Sequence, residues 1–286
     1  MKNLRSRLQL IFTSLIILAI IVWAGVFSSY KADSASNLKI YFLNVGQGDS
    51  EYIKLPYGQD ILIDGGPDNS VLSELGKVMA FGDREINLVV LTHPHADHIS
   101  GLVEVLKRYK VDEVWESGVD YPSSVYDTWK TEISAQKIPD QFVTIGTQKT
   151  FDNINFKVLY PLSSLKNSKI DNANNASVVT ELDFNQFSAL FTGDLEKTVQ
   201  PEIYDKLHAV TVLKVDHHGS TNGTDDNWLK ILRPAVAVIE VGYNNTYGHP
   251  APSTIDLLKS YAAQIYRTDQ DGTIEIESDG VNWVVK

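Results

Sequence analysis

A largely apolar run, Ile86–Leu91, ends directly at Thr92–His98, a stretch that reads Thr-His-Pro-His-Ala-Asp-His. Such a run is typical of a β-strand that is buried on both faces of a sheet. In open α/β sheets, ligands bind beyond the carboxyl ends of the strands. Imidazole and carboxylate groups are the ligands that Zn²⁺ and similar divalent ions take from proteins. The sequence therefore predicts an α/β protein with a metal site at one sheet edge.

Further potential ligands lie beyond other apolar runs of the chain. They are Asp64, Asp194, His217, His218 and His249. Strand ends that converge on one edge can place such side chains close together. We therefore expect these residues to join Thr92–His98 in a single site.

The composition of the chain limits the chemistry of that site. Its 286 residues include no cysteine, so a thiolate ligand is excluded and any metal is held by nitrogen and oxygen. The formal net charge is −11, and an acidic surface weakens tight, sequence-independent binding of nucleic acid. A nucleic-acid substrate held at a metal remains compatible with this charge.

The N-terminal segment has the pattern of a membrane anchor. Residues Leu8–Phe27 are uncharged and mostly apolar, and Lys2, Arg5 and Arg7 precede them. About 20 apolar residues suffice to cross a bilayer, and positive charges before the span place the N-terminus in the cytoplasm. We therefore expect a single-pass cell-membrane protein whose catalytic domain lies on the extracytoplasmic side. Small residues at 32–36 leave a cleaved signal segment and a secreted protein as the alternative.

The rest of the chain is predicted to form one domain. We expect an anchor or signal segment at 1–30, a linker at 31–37 and a single folded domain at 38–286. Within that domain, β-rich runs followed by alternating strands and helices occur twice, which favours two facing mixed sheets with helices outside them. Helices predicted at 101–109 and 195–207 belong to this pattern.

The motifs of the chain resemble those of the metallo-β-lactamase fold superfamily. Thr92–His98 is preceded by an Asp-Gly-Gly turn and followed later by Thr-Gly-Asp. Within that superfamily, the chain is similar to the C-terminal domain of bacterial DNA-uptake competence channel proteins. The segments that carry this similarity are Asn44–Ser50, Asn174–Ser177, Thr192–Glu196, Lys214–Ser220 and Tyr247–Pro250. The resemblance implies a four-layer αββα sandwich that holds two divalent ions, with Zn²⁺ expected first and Mn²⁺ as the alternative.

The resemblance also implies a role for each ligand. His93 and His95 would bind the first ion, and Asp97 and His98 would bind the second. Asp194 would bridge the two ions.

Two supporting roles follow from the same resemblance. One more histidine would complete the second site, and we favour His217 over His218 because it lies immediately beyond the strand. Asp64 would accept hydrogen bonds that orient the histidine loop, as carboxylates commonly do beside metal-bound imidazoles.

The first site departs from the pattern of the superfamily. A third histidine normally joins it, but no histidine lies between His98 and Asp194. The matching region offers Asn174, Asn175 and Ser177 as replacement ligands. Because amide and hydroxyl oxygens are poorer zinc ligands than imidazole, a harder ion such as Mn²⁺, or completion of the site by water, remains open.

The chemistry that suits such a pair of ions is hydrolysis. Two ions lower the pKa of a bound water and clamp a scissile ester or phosphodiester oxygen. Asp97 would orient the nucleophile, and His249 would donate a proton to the leaving group or bind a phosphate oxygen. We therefore expect a membrane-anchored, metal-dependent phosphodiesterase or nuclease, with DNA as one substrate. A hydrolase of a cell-envelope phosphodiester, a lactone or carboxylic esterase, and a binding protein with a degenerate metal site are the alternatives.

Overall fold

The computed structural model describes residues 7, 11–23, 37–261 and 264–286. Residues 11–23 are helical, yet within the described part of the chain no helix is both long and apolar enough to cross a membrane. The predicted membrane-spanning helix is therefore not confirmed, and the single-pass, extracytoplasmic localisation that was derived from it is contradicted. The predicted linker, apart from Asn37, and the small residues at 32–36 lie outside the described residues, as do 8–10 and 24–27 of the predicted span.

Strands and helices follow one another along the described chain beyond residue 37. The strands are β1 (Leu38–Phe42), β2 (Glu51–Lys54), β3 (Asp60–Ile63), β4 (Glu85–Ile86), β5 (Leu88–Leu91), β6 (Lys110–Val111), β7 (Val114–Glu116), β8 (Asp140–Phe142), β9 (Gln148–Phe151), β10 (Ile154–Tyr160), β11 (Val179–Phe184), β12 (Phe187–Phe191), β13 (Val212–Lys214), β14 (Val236–Ile239), β15 (Gln264–Arg267), β16 (Ile274–Ser278) and β17 (Trp283–Val285). The α-helices are α1 (Ser70–Val78), α2 (Ala96–Leu106), α3 (Ser124–Gln136), α4 (Asp226–Leu232), α5 (Pro252–Tyr261) and α6 (Thr268–Asp271). Short 3₁₀ helices span Pro56–Gly58, Ala173–Ala176, Gln200–Lys206 and Asp216–Gly219.

The strands form two large mixed sheets. The first sheet has the order β17-β16-β1-β2-β3-β5-β7-β8, and the second has the order β15-β14-β13-β12-β11-β10-β9. β4 and β6 pair with each other. In the first sheet β3, β5, β7 and β8 run parallel, and in the second sheet β12, β13, β14 and β15 do so.

Both faces of each sheet are covered. Ile61 and Ile63 of β3 belong to the core between the sheets, whereas Leu62 packs in the core that contains residues of α1, α2 and α3. Successive side chains of a strand point to opposite faces, so a strand covered on both sides is apolar throughout. On the outer face of the second sheet, Trp228 of α4 and Leu258 of α5 pack in a third core. The layers are helices, sheet, sheet and helices, in agreement with the predicted α/β class and two facing sheets.

Two predicted helices differ from the observed ones for physical reasons. The helix predicted at 101–109 is α2, which begins five residues earlier because His95 has an extended backbone and ends the loop there. The helix predicted at 195–207 is a series of turns followed by the 3₁₀ helix Gln200–Lys206. Pro201 lies inside that segment, and a proline cannot donate the backbone hydrogen bond that a helix interior requires.

The parallel parts of the two sheets position the site. The ends of β3 and β5 in the first sheet, and of β12, β13 and β14 in the second, lead into the loops that carry the candidate ligands. Parallel neighbours end at the same edge of a sheet, so their carboxyl ends collect polar side chains at one place. The two sheets bring these edges together, as the side-chain distances below demonstrate.

Candidate metal centre

Asp64 holds the histidine loop from the end of the neighbouring strand. Its Oδ1 accepts a hydrogen bond from the backbone N–H of Thr92 at 2.9 Å, and its Oδ2 accepts one from the Thr92 hydroxyl at 2.6 Å. The same Oδ2 accepts a hydrogen bond from Nδ1 of His98 at 2.7 Å. With Nδ1 acting as a donor, the free nitrogen of His98 is Nε2. Asp64 therefore lies where it fixes both the loop and the orientation of the His98 ring.

Four side chains form the largest cluster of potential ligands among the described residues. Asp97, His98, Asp194 and His218 each contribute one atom, and these atoms lie within 4.8 Å of one another. Nε2 of His98 lies 3.4 Å from Oδ2 of Asp194, and Nε2 of His218 lies 3.4 Å from Oδ2 of Asp97. Three of the four residues are buried, and Asp97 is partly exposed. Two carboxylates and two imidazoles at this spacing can surround one divalent ion.

One oxygen of Asp194 is the centre of a larger arrangement. Besides His98, Nε2 of His218 lies 3.6 Å from Oδ2, and Nε2 of His93 and of His217 each lie 3.8 Å from it. The other oxygen, Oδ1, faces Lys214, whose Nζ is 3.9 Å away. Oδ2 is therefore the atom that faces the imidazoles of both candidate ion positions.

The structure distinguishes the two adjacent histidines. Both have left-handed backbone conformations, with φ of 49° at His217 and 52° at His218. Nδ1 of His218 donates a hydrogen bond to the carbonyl oxygen of Glu240 at 2.9 Å, so Nε2 faces Asp97 and Asp194. His217 lies outside the four-residue cluster, and its Nδ1 is 3.7 Å from Glu196. The geometry thus favours His218, and not the His217 favoured on sequence, for the second ion.

The first pair of histidines, His93 and His95, also lies close to Asp194. The Thr92 hydroxyl donates to Asp64, so it accepts from Nδ1 of His93 at 3.1 Å and leaves Nε2 of His93 to face Asp194. Nδ1 of His95 lies 3.1 Å from Nε2 of His93. These two nitrogen atoms are therefore close enough to face one ion.

The three proposed replacement ligands differ in what they contact. The hydroxyl of Ser177 lies 3.4 Å from Nδ1 of His93 and accepts a hydrogen bond from the backbone N–H of Asp194, so it supports the ligands from behind. Oδ1 of Asn175 accepts a hydrogen bond from the backbone of Glu196. Oδ1 of Asn174 is buried and has no hydrogen-bond partner within the described part of the chain. Asn174 is therefore the candidate with an oxygen free to bind an ion.

A cavity of about 200 Å³ opens above these ligands. Gln47, Asn174, Tyr247 and His249 line it together with the ligand candidates, and no lysine or arginine of the described residues does. The His249 ring is 5.7 Å from the ring of His217 and nearly parallel to that of Tyr247. His249 is thus placed over the cavity, beyond the candidate ligands.

The donor atoms fit divalent ions. Nε2 of His98, Nε2 of His218 and Oδ1 of Asn174 are buried without a hydrogen-bond partner among the described residues. Buried polar atoms are normally paired, so unpaired ones on several side chains of one site are an arrangement that suits a metal ion. The three free atoms come from both halves of the domain.

The electrostatics of the cluster also favour a cation. Burial alone would lower the pKa of His218, but Asp194 and Asp49 raise it to about 10. Burial alone would raise the pKa of Asp194, but His218 and His98 hold it well below its ordinary value. The carboxylates are therefore ionised, and a metal that binds here must displace protons from imidazole.

Sequence reasoning gave no role to three buried charged residues beneath the ligands: Asp49, Lys214 and Glu240. Nζ of Lys214 pairs with Asp49, and Oδ1 of Asp49 is 3.2 Å from Nδ1 of His218. The position of Lys214 at the end of the otherwise apolar strand β13 was a signal for such a buried pair. Lysine is almost never fully buried unless it is paired.

The sequence profile of the Metallo-beta-lactamase superfamily matches residues 43–242. Among curated proteins, ComE operon protein 3 of Bacillus subtilis is 31% identical over 265 residues, which are 84% of this chain and 33% of that protein. Recombination protein 2 of Haemophilus influenzae is 27% identical over 253 residues, 86% of this chain and 30% of that protein. The chain thus spans about a third of the length of these relatives.

Solved structures with the same fold are more distant in sequence. The metallo-beta-lactamase fold protein YhfI of Bacillus subtilis has a TM-score of 0.51 at 11% identity, covering 81% of this chain and 95% of that one. CmlA, a diiron beta-hydroxylase from Streptomyces venezuelae, has a TM-score of 0.52 at 13% identity, and the match covers 81% of this chain and 53% of that one. Together with the profile match, the confirmed resemblance to competence proteins identifies the family: this chain belongs to the metallo-beta-lactamase superfamily.

Proposed function

We propose that this protein is a phosphodiesterase, with nucleic acid as its first candidate substrate, and that it works with two divalent ions. The observation that carries the proposal is Oδ2 of Asp194, which lies within 3.8 Å of an imidazole nitrogen from each of four histidines. His93, His95 and Asn174 would hold the first ion. Asp97, His98 and His218 would hold the second, and Asp194 would contact both. Zn²⁺ and Mn²⁺ both suit this nitrogen and oxygen donor set.

The residues of this chain supply binding and orientation around the ions. When bound, the ions supply the charge that polarises a phosphoryl or acyl oxygen and activates water near neutral pH. Asp97 is kept ionised because its neighbours His98 and His218 lower its pKa despite its burial. An ionised carboxylate at the edge of the cavity can accept a hydrogen bond from an attacking water and so orient it.

His249 would contact the substrate. Burial, His218 and His217 lower its pKa, so the ring is neutral near pH 7 and has one N–H to donate. A neutral donor above the cavity suits a hydrogen bond to a phosphate oxygen or to the leaving group. We therefore assign His249 to substrate binding and leaving-group stabilisation.

The lining of the cavity and the name of a relative both bear on the substrate class. Within the part of the chain that the structure describes, no lysine or arginine lines the cavity, so a phosphodiester would depend on the ions for charge neutralisation. One matched relative is named a recombination protein, which favours nucleic acid among phosphodiesters. The same lack of cationic side chains favours the second candidate, a lactone or carboxylic ester, because that substrate carries no charge at the bond that is cleaved.

The test is metal titration followed by activity on matched substrates. Metal-free protein is titrated with Mn²⁺ and Zn²⁺ and assayed on an aryl phosphodiester, a DNA strand and a lactone. We expect two ions per chain and turnover of the phosphodiesters. His95→Ala should abolish turnover, whereas His208→Ala, which changes an exposed histidine paired with Glu181, should not. Binding of less than about half an equivalent of metal would reject the dinuclear site, and turnover of the lactone alone would favour the second candidate.

A further inference from the structure

Lys214 is a fully buried cation directly beneath the candidate ligands. It ends β13 and has no exposed surface. Its Nζ pairs with Asp49 and donates a hydrogen bond to the carbonyl oxygen of Gly193 at 2.9 Å. Burial alone would lower its pKa, but Asp49 and Asp194 raise it above the ordinary value, so the group is charged. A fixed positive charge therefore lies next to the place proposed for two divalent ions.

A positive charge beside a metal site is expected to weaken the binding of cations there. Removing an ammonium from water is unfavourable, and like charges in a buried region repel one another. A methionine of similar length would fill the same volume without either cost. The presence of Lys214 therefore calls for a function that an uncharged side chain could not perform.

The two oxygens of Asp194 indicate that function. Oδ2 faces four imidazole nitrogens at 3.4–3.8 Å, whereas Oδ1 lies 3.9 Å from Nζ of Lys214. Oδ1 has no hydrogen-bond partner within the described residues, so the ammonium is its nearest charged neighbour on that side. Resting on the proposed dinuclear function, we infer that Lys214 is a positioning residue that attracts Oδ1 and so leaves Oδ2 alone to contact both ions.

Asp49 anchors the ammonium from the other sheet. It lies between β1 and β2, and its backbone accepts a hydrogen bond from Gly66 at 2.8 Å and donates one to the carbonyl oxygen of Asp97 at 3.3 Å. Its side chain contacts Lys214 through Oδ2 and lies beside His218 through Oδ1. The Asp49–Lys214 pair thus joins the loop between β1 and β2 of the first sheet to the end of β13 in the second. Lys214 in turn contacts Gly193, the neighbour of Asp194.

Removal of Lys214 should change metal affinity in opposite directions, depending on whether the residue positions Asp194 or acts only through its charge. If Lys214 acted only as a charge, its removal would relieve repulsion and tighten metal binding. If it positions Asp194, its removal frees Oδ1 to turn toward one ion, and the binding of the second ion weakens. Loss of a residue that orients a metal ligand typically weakens affinity by about 10–100-fold.

The experiment compares Mn²⁺ binding in three variants and the wild type. Lys214→Met removes the ammonium, and Asp49→Asn with Lys214→Met removes both buried charges while it keeps Oδ1 beside His218. Lys157→Met is the matched control, because Lys157 pairs with Glu181 and Asp183 on the second sheet outside the cavity. Calorimetry gives the two dissociation constants, and electron paramagnetic resonance gives the exchange coupling between two bound Mn²⁺ ions.

We expect the second dissociation constant to rise at least about tenfold, and the coupling to change, in both variants that lack Lys214 but not in Lys157→Met. A purely structural role would lower the melting temperature without changing the coupling. Unchanged coupling, or binding that is unchanged or tighter, overturns the inference. If the inference fails while the wild type binds two ions, only the role of Lys214 is rejected. If the wild type binds no ion, the proposed function is rejected as well.

If neither Lys214 variant folds, the inference can still be tested on the wild-type protein. A crystal structure with Mn²⁺ should place Oδ1 of Asp194 toward Lys214 and Oδ2 toward both ions. An ion bound to Oδ1 would overturn the inference.

Discussion

Nδ1 of His218 donates a hydrogen bond to the carbonyl oxygen of Glu240, and this bond directs the opposite nitrogen of the ring toward Asp97. His217, the preceding residue, has no such bond from its buried Nδ1 within the described chain. The two histidines are therefore expected to differ in their effect on metal binding.

His218→Ala should remove the second ion, because it deletes one of four clustered ligands. We expect its affinity for that ion to fall about 100-fold or more, whereas His217→Ala should lower it less than about tenfold. Calorimetric titration with Zn²⁺ and elemental analysis after gel filtration measure both quantities. Equal losses in the two variants would contradict the distinction.

Asn174 should set the preference between metals at the first ion. Asn174→His offers an imidazole in place of an amide oxygen, so the ratio of Zn²⁺ to Mn²⁺ affinity should rise. Asn174→Ala should lower the affinity for the first ion about tenfold. Asn175→Ala is the control, since Oδ1 of Asn175 is already paired with the backbone of Glu196. No change in either Asn174 variant would exclude this residue from the ligand set.

Gly101 of α2 is required by the close approach of the helix to the turn after Asp64. A methyl group at Gly101 would collide with the backbone carbonyl of Gly65. Gly101→Ala should therefore lower the free energy of unfolding by about 2–3 kcal/mol and reduce activity through the displaced His98. Gly76→Ala in α1 is the matched control, because open space surrounds Gly76 and alanine favours a helix by about 1 kcal/mol. Urea denaturation measures both.

Asp60 should make stability depend on pH at a place separate from the metal ligands. Burial raises its pKa from 3.8 to about 6. The folded state therefore retains a proton that the unfolded chain loses, and stability falls as the pH rises from about 4 to 6.

Asp60→Asn should remove that dependence. Relative to the wild type, its free energy of unfolding should rise by about 2–3 kcal/mol between pH 4 and pH 7. Denaturation in the presence of a chelator measures this difference, and Asp256→Asn, which changes an exposed carboxyl on α5, is the control. A difference that stays constant with pH would show that Asp60 does not titrate in this window.

Much of the fold followed from local patterns in the sequence. The apolar run before Thr92 and the Asp-Gly-Gly turn predicted buried strands with polar residues at their ends, since both signals depend only on neighbouring residues. The preference for His218 over His217 did not follow, because it depends on two consecutive left-handed residues, after which His218 lies in the four-residue cluster and His217 lies beside Glu196. Sequence spacing contains no sign of that turn.

The Asp49–Lys214 pair was also beyond local reasoning. The two residues are 165 positions apart, and only the packing of the two sheets brings them together. The motifs that contain them marked a resemblance without showing that their side chains meet.

The origin of the four clustered ligands has a thermodynamic consequence for the whole domain. Asp97 and His98 come from the first half of the chain, and Asp194 and His218 come from the second. An ion bound among them would cross-link the two halves in the folded state only. Each tenfold increase of free metal above the dissociation constant would then add about 1.4 kcal/mol to the free energy of unfolding. The ion supply would thus govern resistance to heat and proteolysis as well as catalysis.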